Sequence, residues 1–238
     1  MNVNAGVRTS YKSKNKSNFG CSHCCQNSFN IEFEQMKHKI ANLYCVKVIR
    51  WFQAMDLYDQ GITAHTLRVT ALSLELGRSL GLNKDELGYI QFGTLLHDIG
   101  KLGIPDTILQ KPGKLTAKEF QVVQKHPIYA NDWISNGDDF LPAKVIPLYH
   151  HEKWNGTGYP YGLKGTDIPF MARIVAIVDV WDAMTSDRPY RRAMRKSKAL
   201  RLIKSERGQQ FDPDIVDVFL GLDVDKRRNI SYANALID

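Results

Sequence analysis

Three features of the sequence predict an all-α fold. Apolar residues recur at helical spacing, polar helix starts are paired with a glutamate three residues on, and prolines fall at the edges of these segments. Residues 31–58 place Ile31, Phe33, Met36, Ile40, Leu43, Val46, Val48, Ile49, Phe52 and Met55 at mostly helical intervals. Residues 62–80 continue with Ile62, Leu67, Val69, Leu72, Leu74, Leu76 and Leu80, and Gly81 is a suitable C-terminal residue. Asn83 with Glu86 has the capping-box pattern, opening a helix expected to reach about His97 or Asp98; Thr116 with Glu119 repeats the signal. Ser197 is a candidate N-cap for a basic amphipathic helix ending near Arg207. Ile174-Val175-Ala176-Ile177-Val178 is β-branched and suits a buried strand by composition, but no partnering strand accompanies it. Pro105, Pro112, Pro127, Pro142, Pro147 and Pro169 punctuate the boundaries.

The 238 residues suffice for one large domain or two small ones, and no repeat or clear linker divides them. No run of about 18 apolar residues occurs, so no membrane span is expected. The first residues lack a signal-peptide apolar core, and a cytoplasmic location is expected. Residues 1–20 carry Arg8, Lys12, Lys14 and Lys16 and no acid, which supplies 4 of the net 7 positive charges and reads as a basic disordered tail. Nucleic-acid binding through that tail is the weakest of the functional readings, and would show steep salt dependence. Cys21, Cys24 and Cys25 beside His23 are zinc-type donors, but no second pair lies at finger-like spacing. Free thiols, Cys45 included, are the plainer reading.

The chemistry concentrates in a few segments. His150-His151-Glu152 runs into the glycine-rich Asn155-Gly156-Thr157-Gly158-Tyr159-Pro160, where adjacent imidazoles before a tight turn suit metal binding. His97-Asp98-Ile99-Gly100-Lys101 is a second metal-type cluster. Five of the seven histidines, His65, His97, His126, His150 and His151, fall inside such segments, which a random scatter would rarely give. Adjacent helical residues project about 100° apart. His97 and Asp98 can then reach different sides of a metal cluster, and a carboxylate can bridge two ions.

In order, His65-Thr66-Leu67-Arg68-Val69, Leu95–Pro105, Lys111–Thr116, His126-Pro127, His150–Pro160, Val178–Ser186 and Arg188-Pro189-Tyr190-Arg191 resemble the HD-GYP domain family over residues 57–220. That family belongs to the HD superfamily of metal-dependent phosphohydrolases and is associated with cyclic dinucleotides. The resemblance implies an HD-domain helical bundle, and favours helix for Ile174–Val178. The expected organisation is a tail over 1–30, a helical extension over 31–56, the catalytic domain over 57–225 and a second tail over 226–238.

The resemblance also implies the metal site: His65, His97, Asp98 and Asp179 around one ion, with Asp98 bridging to a second held by His126, His150 and His151. Mixed imidazole and carboxylate ligation suits iron, manganese, zinc or nickel, and the family favours iron or manganese. Some members place a glutamate four residues before the first histidine and bind a third ion; here that position is Gly61, so two ions are expected. Two metals about 3.5–4 Å apart can share a hydroxide that attacks phosphorus in line. Asp98 and Lys101 are the expected catalytic residues, Lys101 neutralising phosphate charge. Asp182, three residues after Asp179, is expected to brace a histidine or stabilise its helix; Glu152 invites a general-base role, but a metal-bound hydroxide needs no such base, and a supporting or structural role weighs at least equally.

The expected substrate residues are Asp59, Lys101, Tyr159, Arg188 and Arg191. Asp59 is placed near a guanine, and the two arginines beside the dinucleotide. The other cations from Arg192 to Arg207 read as a solvated helix face. The implied activity is hydrolysis of cyclic di-GMP to linear pGpG, and on to GMP in some members. The implied partner is a diguanylate cyclase or other signalling protein at the Gly-Tyr-Pro segment. Two readings compete: a module that senses cyclic dinucleotide through protein contacts, and an HD hydrolase of a related cyclic dinucleotide.

Overall fold

The computed structural model describes residues 62–134, 142–187 and 192–222, with Ala54 besides. Among them every long element is a helix, and no strand is longer than an isolated bridge. The order is α1 (Ile62–Ser79), α2 (Lys84–Leu95), a 3₁₀ turn (Ile99–Gly103), α3 (Asp106–Leu109), α4 (Ala117–Val123), α5 (His126–Ile134), α6 (Val145–Tyr149), a second 3₁₀ turn (Gly165–Asp167), α7 (Phe170–Thr185), α8 (Lys196–Ser205) and α9 (Pro213–Gly221). The expected tails, the helical extension, the cysteines and Gly61 lie outside the described residues.

The caps explain most boundaries. Helix α1 stops because Gly81 adopts φ +79°, with its N–H donating to Arg78 and that of Leu82 reaching back to Gly77. The Asn83 side chain accepts from the Glu86 N–H while Glu86 accepts from the Asn83 N–H, so α2 begins as expected. Thr116 and Glu119 do the same for α4, and Lys111 grips both Glu119 oxygens at 2.8 and 2.7 Å. Ser197 is not a cap: α8 starts at Lys196, its N-cap is Arg195 in an extended conformation, and no side chain caps it. The helix also ends at Ser205, short of Arg207. Asp212, by contrast, caps α9 through the Asp214 N–H, with Pro213 at the first helical position.

Helix α7 is the spine. Ile174 to Val178 are buried along it, so the β-branched run is a helix enclosed on several sides rather than a strand. It packs against α1, α6, α8 and α9, and α2 packs across α1. A single apolar core joins Val69, Leu76, Leu96, Ile146, Ile177, Ile203 and Phe219 from these elements.

Helix α2 ends at Leu95 rather than at His97 or Asp98. The His97 N–H donates to Thr94, Ile99 to Leu96 and Lys101 to Asp98, so the backbone tightens to i→i−3 bonding. His97 and Asp98 therefore diverge on a tightened turn, not on a regular helix. A Cβ on Gly100 would lie 1.9 Å from the His126 carbonyl oxygen, so only glycine lets the start of α5 sit this close. Gly100→Ala is expected to lower stability by about 1–3 kcal/mol through overpacking. Gly88→Ala, in open space on α2, is expected to raise it by up to about 1 kcal/mol. Thermal unfolding of the two variants checks the contrast.

Candidate metal centre

Three histidines are held in the same way. His97 Nδ1 lies 2.6 Å from the Thr94 carbonyl, His126 Nδ1 2.8 Å from Val123, and His150 Nδ1 3.0 Å from Pro147 and 3.1 Å from Ile146. Each carbonyl belongs to the last turn of a helix, where the regular i→i−4 ladder runs out and a carbonyl has a lone pair to spare for a side chain. A carbonyl can only accept, so each Nδ1 carries the proton. Each Nε2 then presents its lone pair, and in all three it is buried with no hydrogen-bond partner. Three converging orphaned acceptors are the donor set that a metal cation satisfies.

Asp98 stands where they converge. Its Oδ1 is 3.6 Å from His126 Nε2 and 4.0 Å from His150 Nε2, while its Oδ2 is 3.4 Å from His97 Nε2. Two groups of side chains have donor atoms close enough to hold an ion: Asp98 with His126, His150 and His151, and Asp98 with His65 and His97. Asp179 faces the second group, with Oδ1 3.2 Å from His65 Nε2. All seven residues named from the sequence thus come together. Asp98, His65, His97, His126 and His150 are buried, while His151 and Asp179 line the half-open side.

The electrostatics follow from packing. Burial pushes His126 down to about 3 and His151 down to about 4 despite the nearby carboxylates, and holds His150 well below its usual range. These imidazoles are neutral at pH 7, the form that ligates. Burial opposes ionisation of Asp98, but Lys101 and His97 hold its carboxyl well below the ordinary value. Lys101 Nζ reaches Asp98 Oδ2 at 2.6 Å. Burial opposes protonation of His65 too, yet hydrogen bonds to Asp179 and then Asp182 raise it to about 9.

Asp182 braces rather than ligates. Its Oδ2 lies 2.7 Å from His65 Nδ1, and Arg68 grips both its oxygens at 2.6 and 2.9 Å. Arg68 has no role assigned from the sequence. Its spacing of three from His65, one helical turn, is the only signal for it. Of the two roles open to Glu152, the contacts favour the structural one: it accepts the N–H groups of Tyr161, Gly162 and Leu163 at 2.8, 3.1 and 3.1 Å and so folds the loop back on itself. Gly158 permits this, since a Cβ there would meet Lys153 N at 2.4 Å. Tyr159 then stacks on His151, with centroids 4.7 Å apart. Asp59, Arg188 and Arg191 lie outside the described residues.

The profile of the HD domain family matches residues 52–215. The chain belongs to the HD domain family. This HD domain is 40% identical over 173 residues to a cyclic di-GMP phosphodiesterase response regulator of Xanthomonas campestris, covering 72% of this chain and 46% of that protein. It is 41% identical over 167 residues to a cyclic di-GMP phosphodiesterase of Thermotoga maritima (69% and 45%). It is 40% identical over 169 residues to 3′3′-cGAMP-specific phosphodiesterase 2 of Vibrio cholerae (70% and 32%). The chain thus spans less than half the length of these curated relatives. Among solved structures, an HD-GYP-type protein of Bdellovibrio bacteriovorus superposes with a TM-score of 0.55 at 22% identity, covering 66% of this chain and 50% of that one. This similarity concerns the helical fold, which agrees with the all-α reading. No helix among the described residues is long and apolar enough to cross a membrane.

Asp182→Asn is expected to weaken divalent-cation binding about 10- to 100-fold by releasing His65; calorimetric titration with Mn(II) measures it. Glu152→Ala is expected to cost about 1–3 kcal/mol of stability, read from the denaturant midpoint, by leaving three amides without their acceptor.

Proposed function

We propose that this domain is a binuclear-metal phosphodiesterase that hydrolyses a cyclic dinucleotide, cyclic di-GMP first, to the linear dinucleotide. His65, His97, Asp98 and Asp179 would hold one divalent cation. Asp98, His126, His150 and His151 would hold the other. Iron or manganese is the preferred metal, and zinc and nickel fit the same donors. The observation that carries this reading is the convergence of three buried, unpartnered Nε2 atoms on a carboxylate shared by two donor groups. The relatives named for cyclic di-GMP and cGAMP hydrolysis support the substrate class, and the second of these makes cyclic GMP-AMP the alternative substrate.

When bound, such cations supply Lewis acidity and a hydroxide nucleophile at neutral pH. The chain's own residues do the rest. Asp98 presents one oxygen to each donor group and stays ionised because Lys101 and His97 face it. Lys101, half exposed beside it, is placed to offset charge that builds on the phosphoryl oxygens. Tyr159 walls the His151 side. Water adds to phosphorus, the bond to the ribose oxygen breaks, and that oxygen leaves with a proton. Asp59, Arg188 and Arg191 complete the reading as contacts to the bases and phosphates. A diguanylate cyclase or related signalling protein at the Gly-Tyr-Pro segment completes it as the partner.

Full-length protein loaded with Mn(II) or Fe(II) is expected to bind about two ions per chain and to cleave cyclic di-GMP. His97→Ala and Asp98→Ala are expected to abolish turnover and lower the metal content. Chromatography of the products with metal analysis checks both, and equal turnover in wild type and variants refutes the proposal. Tight binding of cyclic di-GMP with no turnover at full metal loading would instead indicate a sensing module.

A further inference from the structure

Phe120 is one of four large apolar side chains exposed among the described residues, at 47%. It sits at the outer end of a row of rings leading inward. Its ring meets Tyr159 edge-on at 6.3 Å, Tyr159 stacks on His151 at 4.7 Å, and His151 meets His126 at 5.0 Å. Exposure falls along the row, from open at Phe120 to half-buried at Tyr159 and His151 to buried at His126. The row therefore marks the side on which the donor cluster opens to solvent. Phe120 is also fixed relative to that cluster. It lies one helical turn before Val123, whose carbonyl holds His126. Its neighbour Glu119 is pinned by both Thr116 and Lys111. A rigidly held ring left about half open to solvent beside the cluster offers a stacking platform for a flat ligand.

We infer that Phe120 is a substrate-binding residue, stacking a nucleobase of the dinucleotide while its phosphate lies at the donor cluster. This rests on the phosphodiesterase reading. A base stands one ribose from its phosphate, and Phe120 stands two ring contacts from the donor His151, so one nucleotide spans the interval. Stacking tolerates any base, so the residue would set affinity for a dinucleotide over smaller phosphodiesters rather than choose between guanine and adenine.

The test compares wild type, Phe120→Ala and Phe120→Trp as full-length Mn(II)-loaded protein. Substrates are cyclic di-GMP and methyl p-nitrophenyl phosphate, a diester with no base beyond its leaving group. Phe120→Ala is expected to raise KM for cyclic di-GMP roughly 5- to 100-fold with kcat and metal content little changed. Phe120→Trp is expected to restore the KM. The effect on the small diester is expected to be several-fold weaker. An equal loss on both substrates, or a fall in metal content, would mean that the ring only props Tyr159 against His151, and overturns the inference. So would an unchanged KM for cyclic di-GMP. Wild type that cleaves the small diester but neither binds nor cleaves cyclic di-GMP would refute the substrate reading itself, and the inference with it.

Discussion

Everything at the centre depends on where the imidazole protons sit. Helix ends leave carbonyls without partners. Here the ends of α2, α4 and α6 offer carbonyls outside the regular ladder to Nδ1 of His97, His126 and His150. One interaction thus satisfies the backbone and fixes the tautomer. The opposite nitrogens have no partner of their own and point at a buried carboxylate. A protein interior tolerates such a set poorly unless a cation completes it. The helical architecture and the chemistry are therefore one design: short helices stop at the cluster because their ends are what hold it.

The surrounding charges are balanced in tiers. Asp98 is countered by Lys101, and His65 by Asp179 and Asp182. Asp182 is in turn clamped by Arg68 and accepts from the Ser186 hydroxyl. No member of this chain of contacts stands alone in low dielectric, where an unpaired charge is costly. The tiers also divide the labour. His97, His126 and His150 have Nε2 lone pairs free for ligation, while Asp182 and Arg68 have spent their polar atoms on orientation.

Much of this was legible in the sequence, for physical reasons. The Asn83–Glu86 and Thr116–Glu119 starts and the Gly81 stop are local, and local chemistry decides them. The histidines could be singled out because so few exist and so many share motifs. Ser197 misled because a good capping residue matters only where the chain bends from extended to helical, and that bend falls at Arg195. The end of α2 was placed two to three residues too late, since nothing in the composition of Leu96, His97 and Asp98 announces a tightened turn. The β-branched run of α7 is ambiguous by propensity, and enclosure by its neighbours settles it. Arg68 escaped notice because its partner lies more than a hundred residues away. The close approach of Gly100 to His126, which sets the scale of the whole cluster, is likewise a property of packing alone.

The backbone amides of Trp154 and Asn155 donate to the carbonyls of Gln210 and Gln209, in the turn between α8 and α9. Arg173 adds a second strut, its guanidinium lying over the Trp154 ring and bonded to Asp212. The Gly-Tyr-Pro loop is thus moored to a part of the chain that holds none of the seven histidine and aspartate donors. A unit that keeps these moorings must extend past the final signature motif at least to Asp212, where α9 begins. A displacement of the α8–α9 turn would be felt in the pocket wall.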